Sequence, residues 1–345
     1  MRLIATALLF AASSLVSAQT ERVSLAGHEV AVYNLVGTLK VEGGSGDNIV
    51  VEVTRAGREG ARLKLETGMV RGRMTLRVRY PEDRVQYSEL RGNGRSSFSI
   101  ADDGTFGDHD RGNWDRRRVE VSSRDGVDAH ADLRVIVPKG KRLFLRQGVG
   151  ETTIDNVEGE LFVNVAASHV RVNHVKGNLS IDTGSGGVEV TDVTGDLALD
   201  SGSGGATLDG IRGGKINLDV GSGSVRGRSL DVSEITADVG SGGVRLSGVK
   251  SPKVHLETGS GSTELELVSP PDDVSIEAGS GGVTIRMPAS TSASVDIETG
   301  SGGIDTDFDV KLTRIERRAL RGTIGTGRGR IKIESGSGSV KLMKI

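Results

Sequence analysis

Residues 184–205 read Gly184-Ser185-Gly186-Gly187-Val188-Glu189-Val190-Thr191-Asp192-Val193-Thr194-Gly195-Asp196-Leu197-Ala198-Leu199-Asp200-Ser201-Gly202-Ser203-Gly204-Gly205. Apolar residues alternate with others at Val188-Glu189-Val190 and again at Leu197-Ala198-Leu199-Asp200. That is the period of a strand with one face buried. The parity breaks at Thr191-Asp192, which reads as a corner, and Gly195 marks a further turn. At Gly202 the pattern begins again. A unit of this size holds two short strands and cannot bury their apolar faces alone.

The GSGG or GSGS motif begins at Gly184, Gly202, Gly221, Gly240, Gly259, Gly279, Gly300 and Gly336, with steps of 18 to 21 residues as far as Gly300. Worn copies stand at Ala166-Ala167-Ser168-His169 and Gly148-Val149-Gly150-Glu151, and Gly327-Arg328-Gly329-Arg330 follows a longer excursion over 305–326. Repeats of this length mark solenoids. Three inward columns run through them. The first is Thr152, Val170, Val188, Ala206, Val225, Val244, Thr263, Val283 and Ile304. The second runs from Leu161 through Leu179, Leu197, Ile216, Ile235, Val254 and Val274 to Val295. The third runs from Val163 through Ile181, Leu199, Leu218, Ala237, Leu256 and Ile276 to Ile297. Stacking coils at the ~4.8 Å strand spacing joins these into one aliphatic core. The fold class is therefore all-β: a parallel β-solenoid with two short strands per coil.

The Gly pairs lie at sharp turns, so positive φ is the expected demand on them. Context disfavours phosphate cradling, because such loops open helices and these open strands. Hexapeptide helices need an apolar residue every six positions, and Val188 is followed six later by Thr194. Calcium-binding nonapeptide repeats need an Asp after the Gly pair that GSGGVEV, GSGGVRL and GSGGVTI lack. The last strand, from Val340 to Ile345, is expected to be an open edge, with Lys341 and Lys344 as charges against pairing.

Working outward, residues 1–18 have the layout of a secretory signal peptide: Arg2, an apolar run from Leu3 to Val16, and Val16-Ser17-Ala18 before a cut at Gln19. The run is short for a membrane span, and no later stretch is apolar enough to be one. A secreted product, periplasmic or extracellular, is expected. Residues 19–147 read as a β-rich cap with early coils. Leu39-Lys40-Val41-Glu42 before Gly43-Gly44-Ser45-Gly46 has the repeat grammar, and Leu63-Lys64-Leu65-Glu66-Thr67-Gly68 repeats it. Within that third, 82–118 reads as a polar surface loop holding Trp114, the sole Trp, and the group Asp102, Asp103, Asp108, His109 and Asp110. Residues 148–345 form the solenoid proper. Lys+Arg (44) and Asp+Glu (46) nearly cancel, leaving a formal charge of −2 and no basic field for nucleic acid. The absence of Cys excludes disulfides, thiolate metal sites, cysteine nucleophiles and lipoprotein anchoring.

The Val135-Ile136-Val137-Pro138-Lys139-Gly140 segment and the GSGG coils from Gly148 onward resemble the DUF4097 "putative adhesin" family, related to the head-GIN (DUF2807) autotransporter-adhesin proteins. The resemblance covers about 200 residues well. It implies an exported β-helical protein without catalytic residues, with cell-surface adhesion as its role. No C-terminal membrane barrel follows, which departs from an autotransporter.

Many β-helices are polysaccharide lyases or hydrolases, whose sites want aromatic platforms and convergent acids. From Gly148 onward there is no Trp or Tyr, and Phe162 and Phe308 are the only Phe. His169, His174 and His255 fall in different coils, and no GxSxG stands before a helix. No catalytic residue is assigned. The outward column Thr153, Arg171, Glu189, Thr207, Arg226, Arg245, Glu264, Thr284 and Asp305 is mixed in sign, with Arg171/Glu189 and Arg245/Glu264 placed to pair across rungs. The position two before each Gly motif is different. It reads Asn164, Asp182, Asp200, Asp219, Asp238, Glu257, Glu277, Glu298 and Glu334. Two roles stay open for this ladder: carboxylates capping free N–H groups of the following turn, or an edge binding divalent cations such as calcium. No other cofactor is implied. Three functions follow: an adhesive or scaffolding rod for a surface or matrix ligand, a carbohydrate-binding or polysaccharide-degrading β-helix using the 82–118 insertion, and a cation-dependent matrix component.

Overall fold

A computed structural model describes residues 20–90, 94–107 and 116–345. The leader read at 1–18, and Trp114, Asp108, His109 and Asp110 of the insertion, lie outside the described residues. The described strands form one continuous 24-stranded system wound as a solenoid and a separate four-stranded sheet. The predicted columns are the observed ones as far as Val274, Ile276 and Val283. Val188 is flanked in parallel register by Val170 and Ala206, and Leu197 by Leu179 and Ile216. Each is buried, and the core they form runs the length of the molecule. A third, shorter ladder joins Val175 to Val193 and, further along, Leu230 to Val249 to Leu267.

The corner at Thr191-Asp192 is real and has a defined conformation. Asp192 is left-handed with φ 52°, as are Asn156, His174 and Ser229 at the same place in other coils, and Gly210 and Gly248 continue the column. Asn, Asp and Gly are the residues that tolerate this conformation most readily.

The Gly motif has another cause than the one expected. Among its eight copies only Gly186 has positive φ. What the glycines at the first and third positions of the motif cannot accept is a side chain. A Cβ on Gly204 would lie 1.7 Å from Gly186 O, and one on Gly223 would lie 2.1 Å from Gly204 O. Successive turns stack backbone on backbone along the axis, and only hydrogen fits between them.

The chain does not end on an open edge. Gly329–Ser335 lies between Asp273–Ala278 and Ala293–Thr299, with Ile331 placed between Val274 and Val295 and Ile333 between Ile276 and Ile297. Val340–Lys344 likewise lies between Val283–Met287 and Ile304–Thr306. The final coil is thus intercalated, and the excursion before it builds the true end. There Ala319–Ile324 pairs antiparallel with Ala293–Thr299, and Val310–Glu316 pairs antiparallel outside it. Equal apolar columns in every coil leave their order in space open, so the sequence order misleads.

At the other end Glu29–Gly44 is the first coil, pairing in parallel with Lys141–Lys176. The second expected early coil is instead a cap, because Lys64–Val70 turns back antiparallel on Arg73–Arg79. Ile49–Ala56 and Thr20–Leu25 close the other face, also antiparallel. The segment 82–118, expected as a loop, contributes strands. Arg84–Gln86, Arg95–Ala101, Arg116–Ser122 and Val127–Asp128 make the four-stranded sheet, whose buried Phe98, Ile100, Val119 and Val121 alternate with charged and polar residues that disguise them. Phe106 anchors this sheet to the first coil by an edge-to-face contact with Tyr33, 5.7 Å between ring centroids.

Candidate functional site: an acidic ladder on one face

Outward positions on the second strand of each coil form one continuous face. Parallel register brings the acids there into a single row in the order Asn164, Asp182, Asp200, Asp219, Asp238, Glu257, Glu277, Glu334, Glu298. The predicted residues are therefore all brought together, and Glu334 is interleaved before Glu298 by the intercalated coil. Two grooves follow the row. One, of about 670 Å³, runs beside Asp238, Glu257, Glu277, Glu334 and Glu298 over the turn glycines. The other, of about 450 Å³, is lined by Asp182, Asp200 and Asp219 with Ser180, Ala198, Asn217 and Thr236.

Among the described residues no turn amide bonds the carboxylate of Asp219 or Asp238. The turn amides are already bonded to carbonyls of the coil before: Gly221 N to Ser201 O at 2.9 Å, Ser222 N to Gly202 O at 3.1 Å, Gly240 N to Val220 O at 2.9 Å, and Gly259 N to Val239 O at 2.9 Å. The inward neighbour of the acid pins several turns instead. Ser201 Oγ donates to Gly204 O at 2.9 Å, Thr299 Oγ1 to Gly302 O at 2.7 Å, and Ser335 Oγ to Gly338 O at 3.0 Å. The ends of the row are partly neutralised, with Asn164 donating to Asp182 at 2.5 Å, Arg321 to Glu298 at 2.6 Å, and Lys332 paired with Glu334 at 2.6 Å. His255 Nε2 lies 3.2 Å from Glu257. In the middle, Asp219 and Asp238 make no side-chain hydrogen bond or ion pair with the described residues, and both are exposed. Among the described residues no three carboxylates or imidazoles converge to hold a metal ion.

The mixed outward column behaves as expected. Arg171 pairs with Glu189 at 3.4 Å, and Arg245 with Glu264 at 2.7 Å, which holds the Glu264 carboxyl below its ordinary value. The three histidines stay apart: His174 lies between Asp155 and Asp192 at the left-handed corner, while His169 faces Glu189 at 3.5 Å.

One feature of this face escaped the sequence reading. Phe144 and Phe162 stack at 4.5 Å with planes 5° apart, and the Arg73 guanidinium lies 3.8 Å from the Phe144 ring centre. Phe162 pairs with Ser180, so the stack ends where the smaller groove begins. Its signal was the spacing of 18, one coil, between the two Phe residues. Gly107 of the insertion lies over Asn164 and Arg146 at the same end.

Among the described residues no helix is long and apolar enough to cross a membrane. Comparison with curated proteins finds no match. Two solved structures match over nearly the whole length. One, a "putative adhesin" from Parabacteroides distasonis, is 13% identical, with 94% of this chain and 96% of that one covered and a TM-score of 0.41. The other, a "putative cell adhesion protein" from Clostridium sporogenes, is 11% identical, with 95% and 99% covered and a TM-score of 0.22. A family model, Toastrack DUF4097, matches residues 131–343, which take in the intercalated end, the parallel coils and the whole acidic row. The chain belongs to the Toastrack DUF4097 family.

Proposed function

We propose that the protein is an exported, non-catalytic β-solenoid that acts as an adhesive or scaffolding rod at the cell envelope, with the acidic face as its contact surface. The observation that carries this reading is the bare centre of the row. Like charges about one strand spacing apart repel, and among the described residues Asp219 and Asp238 are offset by neither turn amides nor cations. A feature that costs stability and serves no turn is the kind kept for an external partner. Such a partner carries regularly spaced positive charge, as a basic matrix polymer does. Acid–base catalysis is disfavoured by repetition, since it needs two carboxyl groups in contrasting environments and the row offers one environment many times.

The test compares wild type with the triple variant Asp219→Asn, Asp238→Asn, Glu257→Gln on immobilised polylysine and on cell-wall material. Wild type should be retained in a salt-sensitive way, and the variant should bind roughly tenfold more weakly. Equal retention of the two removes the acidic face from the reading. Release of reducing ends from any glycan would replace the rod by an enzyme, and fractionation to the cytoplasm would end the envelope assignment.

The Phe144–Phe162 stack favours one second reading, a carbohydrate-binding face, since stacked rings beside small polar residues suit a sugar. Phe162→Ala would then abolish binding on a glycan array, whereas the charge variant would leave it intact.

A further inference from the structure

Five large apolar residues are exposed among the described residues, and three of them lie on two strand edges at opposite ends of the rod. Leu312 is 48% and Ile315 67% exposed on Val310–Glu316, and Met69 is 64% exposed on Lys64–Val70. Each strand pairs with a single neighbour among the described residues: Val310–Glu316 with Ala319–Ile324, and Lys64–Val70 with Arg73–Arg79. These apolar residues are on the core side of the sheet. Ile315 stands opposite buried Leu320, which stands opposite buried Ile297, so the inward column continues past the last covered rung. Met69 in the same way extends the line through Met74 to buried Val30.

We propose that the rods associate head to tail, with Val310–Glu316 of one copy pairing with Lys64–Val70 of a second. Topology sets the direction. Two antiparallel steps from Ala293–Thr299 leave Val310–Glu316 running with the coils. One antiparallel step from Arg73–Arg79, itself parallel to the first coil, leaves Lys64–Val70 running against them. Coaxial copies pointing the same way thus present an antiparallel pair. In the register that sets Ile315 opposite Leu65, Glu316 meets Lys64 and Arg314 meets Glu66. Keeping the irregularity already present between Leu312 and Arg314 then sets Leu312 against Thr67 and Val310 against Met69. Apolar residues fall on the core side and opposite charges outside. Self-pairing of two Val310–Glu316 strands about Thr313 and Arg314 would set Leu312 opposite Ile315 and Lys311 opposite Glu316 but would leave Met69 at the other end uncovered, so it is the alternative that the single variants below separate. A head-to-tail contact does not close and builds filaments.

Sedimentation velocity of the purified protein over a wide concentration range decides this. Wild type should form a series of species that lengthens with concentration, and a monomer throughout overturns the proposal. Met69→Lys and Ile315→Lys each block one end, so each alone should stay monomeric while their mixture forms a dimer that grows no further. Association of Met69→Lys alone would overturn head-to-tail pairing in favour of self-pairing. Both sites are exposed, and unchanged melting of each variant checks that it folds. As a second probe, Glu316→Lys should weaken association and Lys64→Glu in the same chain should restore it. A lack of rescue counts against the register.

Discussion

At the level of single residues, the turn glycines separate two explanations that a sequence cannot. Both positive φ and close stacking call for Gly, and the motif reads alike in either case. Gly223 meets the backbone of Gly204, while a Cβ on Gly303 would meet nothing within 4 Å. Gly223→Ala should therefore lower stability by about 2 kcal/mol or more through overpacking, and Gly303→Ala should change it little. Urea midpoints of the two variants check the contrast. Core positions are less ambiguous, since Leu218 and Ile276 are buried as their alternation requires. Leu218→Asp or Ile276→Asp should cost several kcal/mol, and near-native melting of either would contradict the column. Charge at the first coil has its own signature. Glu29 accepts from Arg142 at 2.7 Å and Arg73 at 3.2 Å, and the Arg142 hydrogen bond chiefly holds its carboxyl below the ordinary value. A carboxyl lowered on folding contributes stability above its unfolded pKa, and that contribution fades as pH falls through the folded one. Glu42, lowered by Arg134, and Asp128, lowered by Arg58, act in the same sense. Urea midpoints should fall as pH drops below about 4, and Glu29→Gln should flatten part of that slope.

For strands and coils, alternation told which residues face inward and the repeat spacing told which column each joins, so the membership of the ladder was legible in the sequence. Order along the axis was not. Ile331 and Ile333 fit beside Val274 and Ile276 as well as Val295 and Ile297 do, and only the hairpin between 310 and 324 forces the last coil inside. The insertion was misread for another reason: its apolar residues Phe98 and Ile100 are few and set among Ser, Arg and Asp, so a small packed sheet reads as solvated chain. The intercalated coil carries a direct test. Because Val340–Lys344 has neighbours on both sides, Lys341→Val with Lys344→Val should leave the association state of the wild type unchanged in light scattering. Ile333→Pro, by contrast, removes an amide from the middle of a ladder and should cost about 3 kcal/mol or more. Limited proteolysis of that variant should open the C-terminal coils first. Cleavage beginning in the N-terminal cap would show that the last coil does not hold its neighbours in place.

Over the whole molecule, repetition makes a local cost collective. Unit charges ~4.8 Å apart repel by roughly 0.9 kcal/mol even at the dielectric of water. Neutralising Asp219, Asp238 and Glu257 removes the four contacts from Asp200 through Glu277, about 3.5 kcal/mol before screening and roughly half that at physiological salt. The turn amides that would have offset this repulsion are bonded elsewhere. The triple variant should therefore melt above wild type at low ionic strength, and the gap should narrow as salt is added, since screening relieves only the protein that carries the charges. A capping role predicts the opposite sign at every salt concentration. Calcium separates the remaining case. If no ion bridges the rungs, calcium should act on wild type only as its ionic strength does, and chelator should change neither protein. A rise in wild-type melting at micromolar calcium that disappears in the variant would instead identify the row as a cation-bound edge, and its bare centre as the apo state of that edge.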